Sequence, residues 1–132
     1  MKARDVMNKR VTAATPRAIG RDLALQLLSG MYSGLPVVDA GNHVLGVVTE
    51  FDLLKAVQDG KDLQTVKAEE IMGAPAVCVE EDDPIASVIA KLTTYNIIRV
   101  PVVRDGKLVG VISRADILSR MIEPEFVSIF GG

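Results

Sequence analysis

The fold is decided by residues 46–54, GVVTEFDLL, because this pattern returns at residues 110–118 as GVISRADIL. A second segment recurs in the same order, with GLPVVD at 34–39 returning as RVPVVR at 99–104. An ordered repeat of this length indicates two copies of one supersecondary unit. A third pair of segments consists of KARDVM at 2–7 and KAEEIM at 67–72.

Each copy predicts the same order of elements. In the first copy, residues 11–14 favour a short strand and apolar positions every four residues predict a helix over 19–31. Two β-branched runs, 35–39 and 44–48, flank a turn and predict a hairpin, and a helix then begins at Thr49. The sequence therefore predicts an α/β protein, more narrowly α+β, built from two β-α-β-β-α units. The second copy predicts these elements at 76–79, 85–95, 100–103, 108–112 and from Ser113 toward Met121.

The predicted domain boundaries follow from this repeat. Repeat 1 covers 1–58, a polar linker covers 59–66, repeat 2 covers 67–122, and an apolar tail covers 123–132. Pro124 is expected to stop the last helix. The tail, which holds two of the three phenylalanines, is expected either to fold back on its own subunit or to pack on a second one.

Composition restricts the partners of the chain. Fifteen basic and seventeen acidic side chains give a net charge of −2, which argues against nucleic-acid binding. No apolar run reaches the roughly 20 residues of a membrane span, and the N-terminus lacks a signal-peptide core. We therefore expect a cytoplasmic protein that does not contact membranes.

The scarcity of Cys and His restricts the chemistry. Cys78 is the only cysteine, so neither a disulfide framework nor a cysteine metal cluster can be drawn within one chain. His43 is the only histidine and falls in a predicted turn, which argues against His-based metal sites and His-assisted nucleophiles. With no carboxylate dyad visible either, the sequence predicts no enzyme, no catalytic residue and no required metal.

The motif shared by the two repeats has two interpretations. Thr49 with Asp52, and Ser113 with Asp116, have the i, i+3 spacing of a helix-capping box. The same residues follow a strand glycine, which leaves room for something to approach the backbone, and precede a helix N-terminus that favours anions. A nucleotide would use every part of this arrangement, with the aspartate accepting the ribose hydroxyls.

With these residues the chain resembles the tandem cystathionine-β-synthase (CBS) domain pair, or Bateman module, over essentially residues 1–122. The resemblance implies two clefts between the repeats, related by a pseudo-twofold axis, that bind AMP, ADP, ATP or S-adenosylmethionine as regulatory ligands. It also implies pairing of modules into a homodimer through the repeat helices.

The resemblance further implies roles for individual residues. Asp52 and Asp116 would hold ribose, and Thr49 and Ser113 would lie near ribose or phosphate. The adenine ring would be gripped by apolar residues, which are Val11 and Tyr32 for one cleft and Ala76 and Ile97 for the other.

The two clefts are not expected to be equal. The net charge is −2 from 31 to 57 but +3 from 96 to 121. Glu50 stands in the first turn of one helix, where its counterpart is Arg114, and Arg99 occupies the place of Gly34. Arg99 and Arg114 would contact phosphate by resemblance, or are ordinary exposed charges. We therefore expect the Asp116 cleft to bind a phosphorylated ligand more tightly than the Asp52 cleft.

Three functions remain open at this point. The first is a stand-alone regulatory module that senses an adenosine ligand and transmits its state to a dimer mate or a protein partner. The second is a purely structural association module whose clefts are filled by side chains. The third is the regulatory part of a larger protein, such as IMP dehydrogenase or an ion transporter.

Overall fold

The computed structural model describes residues 1–123, so the predictions for the apolar tail lie outside the described residues. The chain divides into two compact units. Unit A consists of Thr12–Val77 and Asp105–Leu108, and unit B consists of Met1–Val11, Cys78–Arg104 and the described residues from Val109 onward. Each unit therefore contains most of one repeat together with a short segment of the other.

The predicted α+β class and the tandem organisation are confirmed, because helices and strands recur in the same order in the two halves. The elements up to the end of the first repeat are α1 Ala3–Val6, α2 Gly20–Gly30, β1 Gly34–Val38, β2 Val44–Thr49 and α3 Glu50–Gln58. Those of the second half are α4 Ala68–Ile71, β3 Val79–Glu80, α5 Ile85–Thr94, β4 Arg99–Arg104, β5 Lys107–Ser113 and α6 Arg114–Met121.

The sheet of unit A is the predicted hairpin. β1 and β2 are antiparallel, with Gly34 opposite Thr49 and Leu35 opposite Val48. The prediction of a strand over 11–14 is wrong, since only Ala14 makes a parallel bridge, to Val37. The bridge consists of two hydrogen bonds, from the Ala14 N–H to the Pro36 carbonyl at 2.8 Å and from the Val38 N–H to the Ala14 carbonyl at 2.9 Å.

The sheet of unit B has three strands in the order β3-β4-β5. β3 runs parallel to β4, with Val79 opposite Val102. The strand predicted over 76–79 is thus shifted and shortened to two residues, Val79–Glu80. β4 and β5 form the second predicted hairpin, and its turn is tight because Asp105 and Gly106 both have positive φ, 53° and 78°.

The predicted linker is an ordered part of unit A. Among residues 1–123, no side chain caps α2. Instead, the first turn donates to linker carbonyls, the Gly20 N–H to Val66 at 2.9 Å and the Arg21 N–H to Leu63 at 2.9 Å. A Cβ on Gly20 would lie 2.9 Å from a Leu63 methyl carbon, so glycine is required by this close approach. Although the linker is mostly polar, its apolar residues Leu63 and Val66 lie against the start of α2.

Unit B repeats this arrangement with the N-terminus of the chain in place of the linker. The Ile85 N–H donates to the Met1 carbonyl at 3.1 Å, and the Ala3 N–H donates to the Asp83 carbonyl at 2.8 Å. The leading turn of each repeat, α1 or α4, therefore packs with the first long helix of the other repeat. The two sequence repeats and the two compact units therefore divide the chain at different residues.

Aliphatic residues fill the interior of each unit, as the low aromatic content requires. In unit A, Leu23 and Val37 are fully buried between α2 and the hairpin. Burial of each such side chain stabilises the fold by about 1.5–3 kcal/mol. The buried residues of unit B include Val79, Val88, Val100, Val102 and Ile112.

Candidate functional site

The Thr49-x-x-Asp52 motif forms a complete capping box at the start of α3. The Asp52 N–H donates to Thr49 Oγ1 at 3.3 Å, while the Thr49 N–H donates to Asp52 Oδ2 at 2.8 Å. The Thr49 hydroxyl also donates to Oδ2, at 3.0 Å. Among residues 1–123, no donor reaches Oδ1 of Asp52. The half-buried carboxylate therefore holds the helix start with one oxygen and presents the other.

The Ser113-x-x-Asp116 motif has the same geometry at the start of α6. The Ser113 N–H donates to Asp116 Oδ2 at 2.8 Å, and the Asp116 N–H donates to Ser113 Oγ at 3.1 Å. Asp116 Oδ1 likewise receives no hydrogen bond from the described part of the chain. The capping interpretation is thus realised twice, and it leaves one acceptor oxygen in each motif for a ligand.

The strand glycine before each motif has a different role from the expected one. A Cβ on Gly46 would lie 2.8 Å from Met72 Sδ, and a Cβ on Gly110 would lie 2.6 Å from Met7 Sδ. The chain itself occupies the space above both glycines, with the methionine of the KAxxhM segments. The inference that these glycines admit a ligand was therefore wrong, because a distant segment of the protein fills the room they make.

In unit A, the segment before β1 lies against the start of α3. The Glu50 N–H donates to the Ser33 carbonyl at 3.3 Å, which places Tyr32 one residue from the contact. The half-buried Tyr32 hydroxyl lies 3.2 Å from Thr12 Oγ1. Unit A therefore brings together Tyr32, Thr49 and Asp52 of the predicted residues.

Unit B brings together a larger part of the predicted set. The Arg114 N–H donates to the Ile98 carbonyl at 2.9 Å, and its Nε donates to the Ile97 carbonyl at 2.8 Å. Arg99 is half-buried at the first position of β4. Ile97, Arg99 and Arg114 thus lie around the start of α6, which carries Ser113 and Asp116.

Two predicted adenine contacts fall in the opposite unit from their assigned partners. Val11 belongs to unit B and Ala76 to unit A, and both side chains are half-buried. Their participation in a ligand site stays a prediction.

The charge difference between the two helix starts is real in the structure. The exposed Glu50 in the first turn of α3 matches the exposed Arg114 in the first turn of α6. Besides Ile97, the Arg114 guanidinium binds the Asn96 side chain, with Nη2 donating to Oδ1 at 3.0 Å. Arg114 is therefore held in place, with its charge beside the N-terminus of α6.

Sequence reasoning missed Asn96 and Thr12. Asn96 has a positive φ of 51° at the end of α5, and its side chain positions Arg114. An Asn directly after a predicted helix is the signal that could have identified it. Thr12 positions the Tyr32 hydroxyl, but a threonine in an apolar segment gives no comparable signal.

Residues 1–123 contain neither a metal-binding cluster of side chains nor a membrane-spanning helix. No group of three or more His, Cys, Asp or Glu side chains in this range is arranged to hold a metal ion. None of the helices described for these residues has the length and apolar character needed to cross a bilayer.

The family model named "CBS domain" matches the chain twice, over residues 3–59 and 68–123. Two curated relatives are an uncharacterised protein of Methanopyrus kandleri, 30% identical over 94% of this chain, and the L-aspartate semialdehyde sulfurtransferase of Methanocaldococcus jannaschii, 32% identical over 86%. The aligned regions span 63% and 22% of these relatives' own lengths.

Solved structures show the same fold. A CBS domain pair in complex with 5′-methylthioadenosine and S-adenosyl-L-methionine is 29% identical, with a TM-score of 0.80 over 100% of this chain and 97% of its own. A CBS domain protein from Pyrobaculum aerophilum complexed with AMP is 25% identical, with a TM-score of 0.83 over 99% and 98%. Hypoxic Response Protein I with two coordinated zinc ions is 26% identical, with a TM-score of 0.84 over 90% and 98%.

Proposed function

Because this chain belongs to the CBS domain family, we propose that it is a regulatory module that binds an adenosine ligand at its two Thr/Ser-x-x-Asp motifs. The observation that carries the proposal is the free Oδ1 of Asp52 and Asp116, each held beside the N-terminus of a helix by its own capping box. Complexes of similar structures with AMP and with S-adenosyl-L-methionine support the ligand class.

The motif suits ribose for a chemical reason. A carboxylate oxygen accepts hydrogen bonds from hydroxyl groups, and such charge-assisted bonds are about twice as strong as neutral ones. The capping box fixes the orientation of the carboxylate before the ligand arrives, so little side-chain entropy is lost on binding. The ribose of an adenosine ligand would therefore meet a rigid acceptor at each motif.

The two motifs would differ in their preference for phosphate. A phosphate beside α6 would lie near Arg114 and Arg99, whereas a phosphate beside α3 would meet Glu50. The N-terminus of either helix favours an anion, so the difference comes from these side chains. We propose that the Asp116 motif binds the phosphorylated ligand and that the Asp52 motif holds a less charged nucleoside or none.

The proposed module also pairs with a second copy. Within unit A, α2 and α3 carry apolar side chains that no other residue among 1–123 covers. On α3, Phe51 and Leu54 are each 70% exposed. Unit B exposes Leu118 on α6 in the same way, at 62%. Apolar patches of this kind commonly mark protein contacts. Light scattering should report a dimer for the wild type and a monomer for Leu54→Lys, which changes an exposed residue only.

Regulation would follow from the preference of the ligand for one state of the dimer or of a docked partner. A ligand shifts an equilibrium only by its difference in affinity for the two states. The enzymes among the curated relatives are much longer than this chain, so their activities are not assigned to it. We propose no catalytic residue, and the cytoplasmic location stays a prediction.

A second candidate function is an association module without a ligand. The complete capping boxes and the exposed helix faces are compatible with it, since neither requires a nucleotide.

Calorimetric titration with AMP, ADP, ATP and S-adenosylmethionine separates the two functions. Saturable binding of at least one ligand, weakened in Asp116→Ala, is the result expected of a sensor. Silence toward all four, by a protein that is folded and dimeric, would leave the association module.

A further inference from the structure

Unit B contains an open depression of about 610 Å³ that neither motif accounts for. Three cationic side chains line it, Arg4, Lys9 and Arg104, together with the carboxylates of Asp5 and Glu81. Met7 supplies apolar surface. The volume falls within the range of small-molecule sites, about 300–1,000 Å³.

The depression is separate from the Ser113-x-x-Asp116 motif. Arg104 is the last residue of β4, whereas Arg99, which lies at the end of the strand near the motif, is the first. With a rise of about 3.3 Å per residue, five steps along the strand separate the two by roughly 17 Å. One small ligand cannot occupy both places.

The carboxylates in the depression already have partners, and so does Arg4, whose Nη1 donates to Asp82 Oδ1, whereas Arg104 and Lys9 are less engaged. Asp5 Oδ2 accepts the Lys2 N–H at 2.8 Å, and this bond lowers the pKa of Asp5 below its ordinary value. Arg104 Nη1 lies 3.5 Å from Glu81 Oε1, longer than a charge-assisted hydrogen bond of about 2.7–2.9 Å. Within residues 1–123, no side chain pairs with the Lys9 ammonium.

The corresponding positions of unit A are acidic or neutral. Glu69 stands where unit B has Arg4, Ala74 replaces Lys9, and Asp39 replaces Arg104. Asp39 is used within its own hairpin turn, where Oδ1 accepts the N–H groups of Gly41 and His43, both at 2.9 Å. The tight second turn needs no such side chain, because Asp105 and Gly106 adopt positive φ. Arg104 is therefore available to the depression.

We propose that this depression is a second binding site, specific for a small organic phosphate. A phosphate monoester carries about −1.5 to −2 charge at neutral pH, which matches the two less engaged cations, Lys9 and Arg104, more closely than a single carboxylate does. The guanidinium of Arg104 presents a fork of donors to the phosphate oxygens, Lys9 adds a point charge, and Met7 contacts the organic part.

The site is tested with phenyl phosphate as the probe, titrated by calorimetry into the whole protein. The test variant is Lys9→Ala with Arg104→Gln, and Lys107→Ala is the matched control because Lys107 is an exposed base outside the depression. Thermal melting confirms that each variant is folded. We expect saturable binding by the wild type and by Lys107→Ala, weakened about tenfold or more in the double variant.

Further arms separate this site from the adenosine sites. Asp116→Asn should leave phenyl phosphate binding unchanged, and benzoate should bind more weakly than phenyl phosphate. The proposal is overturned if the wild type shows no saturation at millimolar probe, if the double variant binds as the wild type does, or if binding is lost in Asp116→Asn instead. Any of these results leaves the proposed adenosine site to its own titration.

Discussion

The starts of α3 and α6 share a backbone and differ in charge. Both begin with a capping box whose aspartate uses Oδ2 for the helix and keeps Oδ1. The residue after Thr49 is Glu50 and the residue after Ser113 is Arg114, whose side chain is held by the Ile97 carbonyl and the Asn96 side chain. A duplicated scaffold can thus keep one geometry for ribose while each copy sets its own preference for the rest of the ligand.

The two repeats also differ at the strand glycines, Gly46 and Gly110, which pack against the methionines of the segments at 67–72 and 2–7. A Cβ on Gly46 would lie 2.6 Å from the Gly73 carbonyl oxygen, whereas the three atoms nearest to a Cβ on Gly110 all belong to the Met7 side chain. Gly73 cannot retreat freely, because it exchanges two backbone hydrogen bonds with Val47, at 2.9 and 3.1 Å. Asn8 exchanges the same two backbone hydrogen bonds with Val111, at 2.9 and 3.0 Å, so the two places differ in the nearest atom that a Cβ would meet, a carbonyl oxygen for Gly46 and a flexible side chain for Gly110.

The largest expected effect is the loss of stability when alanine replaces Gly46 or Gly110. Gly46→Ala should lower the free energy of unfolding by about 3 kcal/mol and Gly110→Ala by about 1 kcal/mol, because a side chain yields more easily than a paired backbone. Urea denaturation measures both. Met7→Ala combined with Gly110→Ala should recover part of the loss in the second repeat. Equal losses for the two single variants would show that the Met7 side chain yields no more easily than the Gly73 carbonyl.

The second effect concerns the aspartates. Asp116→Asn preserves the shape of the capping residue but removes the charge, and it should weaken AMP binding by about 10- to 100-fold. Asp52→Asn should change AMP binding less. Calorimetry of the two variants gives the comparison directly, and a greater loss in Asp52→Asn would reverse the assignment of the phosphate-preferring site.

A smaller effect tests the charge difference alone. Glu50→Arg should improve AMP binding at the first motif by about two- to fivefold, the size expected of an exposed ion pair. Glu50→Gln serves as the control that removes the negative charge without adding a positive one. Adenosine, which has no phosphate, should bind equally to all three proteins; a gain for adenosine as well would point to a change in structure.

The smallest effect concerns Cys78 in unit B. Burial raises the pKa of its thiol, so the folded protein has less thiolate at a given pH than the unfolded chain. Iodoacetamide should react slowly at neutral pH, and its rate should rise as the pH approaches this raised pKa. The same rate in urea, where burial is lost, is expected to be severalfold higher; an equal rate in native buffer would show that the thiol is open to solvent.

Local signals predicted much of this fold. The Thr49-x-x-Asp52 spacing identified the start of α3 within one residue, and β-branched runs identified both hairpins. These features depend on interactions between residues close in sequence, so they can be predicted from the sequence alone.

The failures concern contacts between distant segments. Gly110 makes room for Met7, about a hundred residues away, so its spacing to Ser113 could not reveal the occupant. A strand was predicted over 11–14, but within it only Ala14 forms a bridge, because the length of a strand ladder depends on the path of the partner strand. The family resemblance identified the tandem fold, but the use of Asn96 to hold Arg114 is visible only in the structure.

The most direct test of the two unequal sites is an AMP titration followed by backbone amide resonances. The account predicts that the amides of Ser113 and Asp116 shift at lower AMP concentration than those of Thr49 and Asp52. Shifts that reach Thr49 and Asp52 first, or at the same concentration in both motifs, would contradict it.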